Sequence, residues 1–389
     1  MPKFMLGICA IVLFAGAMGT ARAASPYEIN VVLSLTGAGA FLGVSESKTV
    51  QAIETLVNKT GGINGQSVHF VFADDQSSPQ VAVQLTNGLV AQHVPVMLGP
   101  SYTSTCYAVL PIVKNGPVQY CYAPTVHTTA PSFTFSGSAS SKDLALAGIR
   151  YFREHRITKI ALLVTTDSTG QDGESVVRED LGLRENASMS LVAIEHFNPA
   201  DISIAAQITR LKASGAQAVI AWVAGTPFGT VLKGAVDGDL GLPILTNSGN
   251  LNNAQMAQYA AFLPKELYFT GYRFQAYRTA GPGPVRDADM QFIKAMRSIG
   301  VAEPDAGYEQ AWDATMIVVD ALRHLGTNAS AEQLRSYIAA MHGYAGINGI
   351  MDFRDGLQRG LKDNAAVIVR WDAGGKTWVP VSKPGGFLK

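Results

Sequence analysis

Short apolar runs rich in Val, Ile and Leu return along this chain, separated by amphipathic stretches, and that rhythm restricts the fold more than any other feature. The runs at 29–34, 67–74, 94–98 and 117–121 are largely apolar rather than strictly alternating with polar residues. A strand of that kind is buried on both faces, which predicts a parallel sheet with helices above and below it. Between the runs, Val50, Ile53, Leu56 and Val57 share one face of a helix, and residues 80–92 form a second helix. Gly61-Gly-Ile-Asn-Gly65 stops the first helix and turns the chain. A fifth extended segment falls at 132–135.

Around 136–142 the composition shifts to Ser, Gly and Ala, and then the alternation restarts. Strands are expected at 159–165, 190–196, 218–223 and 243–246, and helices at 171–183, 202–213 and 229–236. Ile204, Ile208 and Leu211 form the inner face of the second of these helices. The pattern predicts two successive α/β units, each a doubly wound parallel sheet. A strand at 267–272 is followed by helices at 287–299, 308–325 and 331–341, and then by a flexible crossing at 344–349. Two strands, 365–371 and 378–381, close the chain around the hairpin turn Asp372-Ala-Gly-Gly375. Helices that arrive after the second unit is complete indicate that the chain returns to cover the first. Two domains also suit a chain of 389 residues, 47% hydrophobic and 15% charged, which has ample apolar material for large cores.

The N-terminus reads as a signal peptide over residues 1–23. Lys3 is a short basic region, residues 4–19 are almost wholly apolar, and Ala21-Arg22-Ala23 has the form of a cleavage site. No later run is long and apolar enough for a membrane span, so an exported protein is expected. Removing the two basic residues of the signal leaves 30 − 2 = 28 basic against 30 acidic residues, no footprint for nucleic acid. Of the cysteines, Cys106 and Cys121 remain, and in an oxidising compartment they either pair or stay as buried thiols.

The motifs argue for binding rather than catalysis. Gly37-Ala-Gly-Ala-Phe-Leu-Gly43 misses the dinucleotide spacing, and no P-loop, nucleophile elbow or zinc spacing occurs. Asp74 and Asp75 are read as caps for the helix beginning near Ser77-Ser-Pro79, and Asp313, Asp320, Arg323 and His324 as a solvated helix face. The stretch Gly99-Pro-Ser-Tyr-Thr103-Ser-Thr105, with Ala123-Pro-Thr125 after the next strand, sets hydroxyl-rich turns beside a helix start near 102–105. Neutral donors in that arrangement suit an anion. Trp222 ends a strand and offers either an apolar wall or ordinary core packing. No cofactor or metal is called for.

Several marks occur together in order: Leu35-Thr-Gly37, Asn58-Lys-Thr-Gly-Gly-Ile-Asn-Gly65, Asp74-Asp75, Gly99-Pro100 with Ala108, and Asp167 followed by Thr169-Gly-Gln171. Through them the chain resembles the type I periplasmic solute-binding proteins of ABC importers, in particular the leucine/isoleucine/valine-binding group. The resemblance implies a two-lobed α/β fold with three hinge crossings, near 136–141, 271–274 and 345–352, which close the lobes around a ligand. It places residues 24–138 and 274–347 in lobe 1, and 139–273 and 348–389 in lobe 2. It further implies a periplasmic location, a small-molecule ligand, permease subunits in the inner membrane as partners, and a monomer. In this family lobe 1 holds the ligand's carboxylate, and the matching positions are Thr103, Ala123 and Thr125. Lobe 2 would contribute Thr169, Gln171, Trp222, Asn247 and Asn250. The family's amino-acid binders carry an acid where this chain has Asn247-Ser-Gly-Asn250, and a tyrosine is often found at the position of Thr169. The departure favours a carboxylate-bearing ligand without a free amine, an organic or aromatic acid. Asp172 is the remaining acid that can meet an ammonium, so branched-chain amino acids stay open. A sensor domain of a receptor or regulator, and a periplasmic hydrolase, are the alternative readings.

Overall fold

A computed structural model describes residues 25–136 and 139–389; the signal-peptide reading at 1–23 lies outside the described residues. The first sheet is built from β1 (Tyr27–Leu33), β2 (Val68–Asp74), β3 (Val96–Leu98), β4 (Val118–Cys121) and β5 (Thr134–Ser136), interleaved with α1 (Ala40–Lys59), α2 (Pro79–Ala91) and α3 (Thr103–Val109). Its strands are all parallel, in the order β2-β1-β3-β4-β5. The chain then forms α4 (Ser141–Glu154), β6 (Lys159–Thr165), α5 (Ser168–Leu181), β7 (Ser190–Phe197), α6 (Ala205–Ala213), β8 (Ala218–Trp222), α7 (Pro227–Asp237), β9 (Ile244–Thr246), α8 (Asn253–Gln258) and β10 (Leu267–Tyr272). It continues with α9 (Pro284–Ser298), α10 (Ala306–Leu325), α11 (Ala331–Ala340), β11 (His342–Gly346), β12 (Gly349–Asp352), β13 (Ala366–Asp372) and β14 (Thr377–Pro380). The second sheet has the order β14-β13-β10-β9-β8-β6-β7, parallel except for the closing strands β13 and β14.

The apolar runs behave as their composition requires. Every residue of β8 and all of β6 beyond Lys159 are buried, because helices cover both faces. Val50, Ile53 and Val57 face the core and Leu56 is half-buried. The late helices return to the first sheet: α10 packs along α1, and the Thr49 hydroxyl donates to the Tyr308 carbonyl at 3.0 Å. Helix boundaries moved where caps decide them. Helix α5 begins at Ser168 because Asp167 accepts from the Gly170 amide at 3.1 Å, and α4 begins behind a Ser140/Asp143 capping box.

Three expectations are corrected. Asp74 and Asp75 do not cap α2, whose cap is Ser78. Asp75 is buried and accepts from the Ser34 hydroxyl at 2.7 Å, while Asp74 accepts from the Leu35 amide at 2.9 Å; together they bind the loop after β2 to the loop after β1. The segment read as a flexible crossing at 344–349 is an antiparallel hairpin of β11 and β12. Asp313 is buried rather than solvated, accepting from the amides of Ile347 (2.9 Å) and Asn348 (3.3 Å) at that hairpin's turn. Burial pushes its carboxyl up to about 7 despite those bonds. Beside it, Arg273 joins two connections, donating to both oxygens of buried Asp289 (2.7 and 2.8 Å) and to the Ile347 carbonyl (2.9 Å).

Candidate functional site

The carboxyl ends of β3, β4, β6, β8 and β9 face each other across the gap between the two sheets, the usual ligand position in open α/β sheets. A small cavity of about 30 Å³ lies there. From the first lobe it is lined by Ser101, Tyr102 and Thr103 after β3, by Ala123, Pro124 and Thr125 after β4, by Leu42 of α1, and by Gln310 of α10. From the second lobe come Thr169 of α5, Trp222 at the end of β8, Ala224, and Asn247 and Gly249 after β9.

Thr103 is the first residue of α3, with Tyr102 at the cap position. Its hydroxyl accepts from the Thr125 hydroxyl at 2.9 Å, so the two turns present their oxygens together. Behind them Cys106 and Cys121 form a disulfide with Cα atoms 6.1 Å apart, packed with Ala123 and Val126. The bridge fastens the first turn of α3 to the end of β4, the two supports of this wall. The Ser101 hydroxyl receives the Ser34 amide at 3.2 Å and donates to Glu46, whose second oxygen has no partner. Full burial pushes the Glu46 carboxyl up to about 8, the Ser101 bond opposing and the Asp75 charge reinforcing that rise.

The opposite wall is neutral. Among the described residues that line the cavity there is no carboxylate and no cation. Trp222 is 1% exposed and its indole N–H has no hydrogen-bond partner, and the Thr169 hydroxyl is equally unpartnered. Asn247 has both amide ends committed, donating to the Val223 carbonyl at 2.7 Å and accepting from the Gly249 amide at 2.9 Å. Two expected residues do not line the space. Asn250 is buried beneath it, donating to Val223 and Thr246, and Gln171 is exposed, donating to the Thr166 carbonyl at 3.0 Å. Asp172 is also outside the lining, with one oxygen 2.9 Å from His127 Nε2 across the lobes. Ser101, Tyr102, Pro124, Ala224, Gly249, Leu42 and Gln310 were not singled out from the sequence, although Ser101, Tyr102 and Pro124 lie within the hydroxyl-rich turns and Gly249 within the Asn247–Asn250 stretch.

The lobes touch directly beside the cavity. The Tyr102 hydroxyl donates to the Ala224 carbonyl at 2.8 Å, and Asn252 donates to the Phe41 carbonyl at 3.0 Å. Burial, with the Asp167 charge adding to it, raises the Tyr102 phenol and keeps it a donor. Two lobes facing each other over a cavity between opposed strand ends have the arrangement of a ligand-binding cleft.

The sequence profile of a family described as periplasmic binding protein matches residues 26–376, and the chain belongs to that family of solute-binding proteins. It is 24% identical over 341 residues to Leu/Ile/Val-binding protein homolog 1 of Brucella abortus, covering 84% of this chain and 85% of that one. With Leu/Ile/Val-binding protein homolog 3 of Brucella melitensis it shares 25% identity over 223 residues, 55% of this chain but only 59% of the relative's length. The fold matches the branched-chain amino acid transporter substrate binding protein LivJ of Streptococcus pneumoniae in complex with isoleucine (TM-score 0.77, 19% identity, 92% of this chain and 99% of that chain). It also matches an ABC transporter solute binding protein of Rhodopseudomonas palustris in complex with benzoate (TM-score 0.75, 17% identity, 92% and 96%). No helix among the described residues is long and apolar enough to cross a membrane.

Proposed function

We propose that this chain is the periplasmic subunit of an ABC importer that captures a small carboxylate-bearing solute lacking a free amine, and passes it to permease subunits without chemical change. The observation that carries the reading is the asymmetry of the cavity: paired hydroxyls of Thr103 and Thr125, with the Ala123 turn beside them, face second-lobe lining residues without an acid. Hydroxyl and amide donors hold an anion without a buried countercharge, which keeps desolvation small and release feasible. An ammonium trapped against the neutral wall would be an unpaired buried charge. Thr169, Trp222 and Asn247 then form the second side of the site. The family likeness supports transport, and two solved proteins of this fold hold isoleucine and benzoate, ligands that share a carboxylate and an apolar body. A thermal-shift screen of amino acids against aliphatic and aromatic acids tests this, because a specific ligand raises the melting temperature. Thr103→Val and Thr125→Val should each weaken the best acid by about 1–3 kcal/mol. Unchanged affinity in both variants, or leucine leading the screen, would refute the reading.

A further inference from the structure

Three buried polar groups around the cavity lack partners, and they do not match a purely apolar ligand body. Trp222 is 1% exposed, Thr169 2% and Gln310 5%, and the indole N–H, the Thr169 hydroxyl and the Gln310 carbonyl oxygen make no hydrogen bond. Buried polar atoms are nearly always satisfied, so orphans gathered around one cavity point to a group that enters it. The groups are also held in place. Gly173 of α5 lies against the indole, where an added Cβ would come within 2.2 Å of the ring, and the Gln310 amide nitrogen is 3.3 Å from the Tyr272 hydroxyl. Thr169 sits in the first turn of α5, behind the Asp167 cap. The indole is a donor only, the amide oxygen an acceptor only, and the Thr169 hydroxyl is both.

We propose that the ligand carries, away from its acid group, a neutral hydroxyl that accepts from Trp222 Nε1 and donates to Thr169 or Gln310, so that the solute is a hydroxy acid. This rests on the reading of the cavity as an acid-binding site and names what the second wall recognises. A hydroxyl satisfies donor and acceptor orphans at once. An ammonium leaves the indole N–H unmatched, and a methyl group leaves all three unmatched. The chemistry also explains why the wall is neutral: a carboxylate there would compete with the ligand for the indole and bring a second buried charge.

The test is calorimetric titration of matched pairs that differ by one hydroxyl remote from the acid: benzoate with its 3- and 4-hydroxy derivatives, and hexanoate with its 6-hydroxy derivative. At least one hydroxy acid should bind about tenfold or more tightly than its parent, the ratio expected when a missing partner leaves buried groups unpaired. Trp222→Phe should shrink that ratio to about threefold or less, the hydroxy acid losing more affinity than its parent, because the indole donor is lost. Thr169→Val, a near-isosteric change, should act in the same direction and decides the matter if Trp222→Phe perturbs the lobe. Thr103→Val should instead weaken both members of a pair alike, which separates the acid end from the hydroxyl end. Parent acids binding as well as their hydroxy derivatives would overturn the hydroxyl assignment and leave the acid site standing. So would an equal loss for both members in Trp222→Phe and in Thr169→Val. Failure of every acid in the panel to bind would overturn both.

Discussion

Gly225→Ala tests whether binding depends on direct contact between the lobes. Gly225 lies just after β8 with φ +74°, and an ideal Cβ there would stand 2.4 Å from the Ala38 carbonyl oxygen in the opposite lobe. Ordinary contact begins near 3.4 Å, so the lobes must separate by 3.4 − 2.4 = 1.0 Å at this point. A retreat of that size stretches the Tyr102–Ala224 bond from 2.8 Å beyond hydrogen-bond range, and the nearby Asn252–Phe41 bond of 3.0 Å with it. Two hydrogen bonds at about 1–1.5 kcal/mol each give roughly 2–3 kcal/mol, or about 30–150-fold in Kd. The left-handed backbone adds about 1 kcal/mol of strain, but it does so whether the lobes are apart or together, so it lowers the melting temperature without altering closure. The assay is titration calorimetry with the best acid from the screen, alongside small-angle scattering with and without it. Tyr102→Phe, which leaves the backbone alone, should cost about 1–3 kcal/mol by the same route. If Gly225→Ala binds within threefold of the parent and compacts equally, the reasoning from interlobe contact fails.

Three further outcomes are expected. Replacing Cys106 and Cys121 together by Ser removes a cross-link spanning 15 residues and should lower stability by about 3 kcal/mol, read as a fall in melting temperature; identical melting with and without reductant would contradict it. Glu46 has its carboxyl raised from 4.5 to about 8 by burial, so the folded state holds a proton that the unfolded state releases. Its contribution is therefore complete below pH 4.5 and is lost as pH rises through 8, at about 1.4 kcal/mol per pH unit between them. Glu46→Gln should flatten urea-derived stability between pH 5.5 and 7.5 relative to the parent, and an unchanged slope would exclude this carboxyl. Asp289→Asn removes the carboxylate charge that faces Arg273 Nη1 and should cost on the order of 3 kcal/mol in denaturant unfolding; a change below about 0.5 kcal/mol, the usual size of a surface substitution, would show that the pair does not brace the crossings.

What the sequence disclosed and what it withheld follow from the range of the interactions involved. Strands β6 and β8 were legible because burial on both faces writes itself into a continuous apolar run. The return of α9 to α11 was legible because their amphipathic faces needed a sheet already built. Asp313 was misjudged because helical spacing describes a face without saying what covers it; only the packing of α10 at the β11–β12 turn turns that face inward. Thr103 and Thr125 emerged from hydroxyls next to strand ends, a local signal. Gln310 carried no such signal, since its place in the cavity depends on α10 crossing back to the first lobe. The division matters for ligand choice. The proposed acid end of the site rests on turns whose chemistry is local, whereas the opposite wall is assembled from α5, β8 and the turn after β9, distant in sequence and individually unremarkable. Selectivity in such a protein is thus written in tertiary juxtaposition. Substituting Trp222 or Thr169 should change which acid is chosen, while substituting Thr103 or Thr125 should change whether any acid is held.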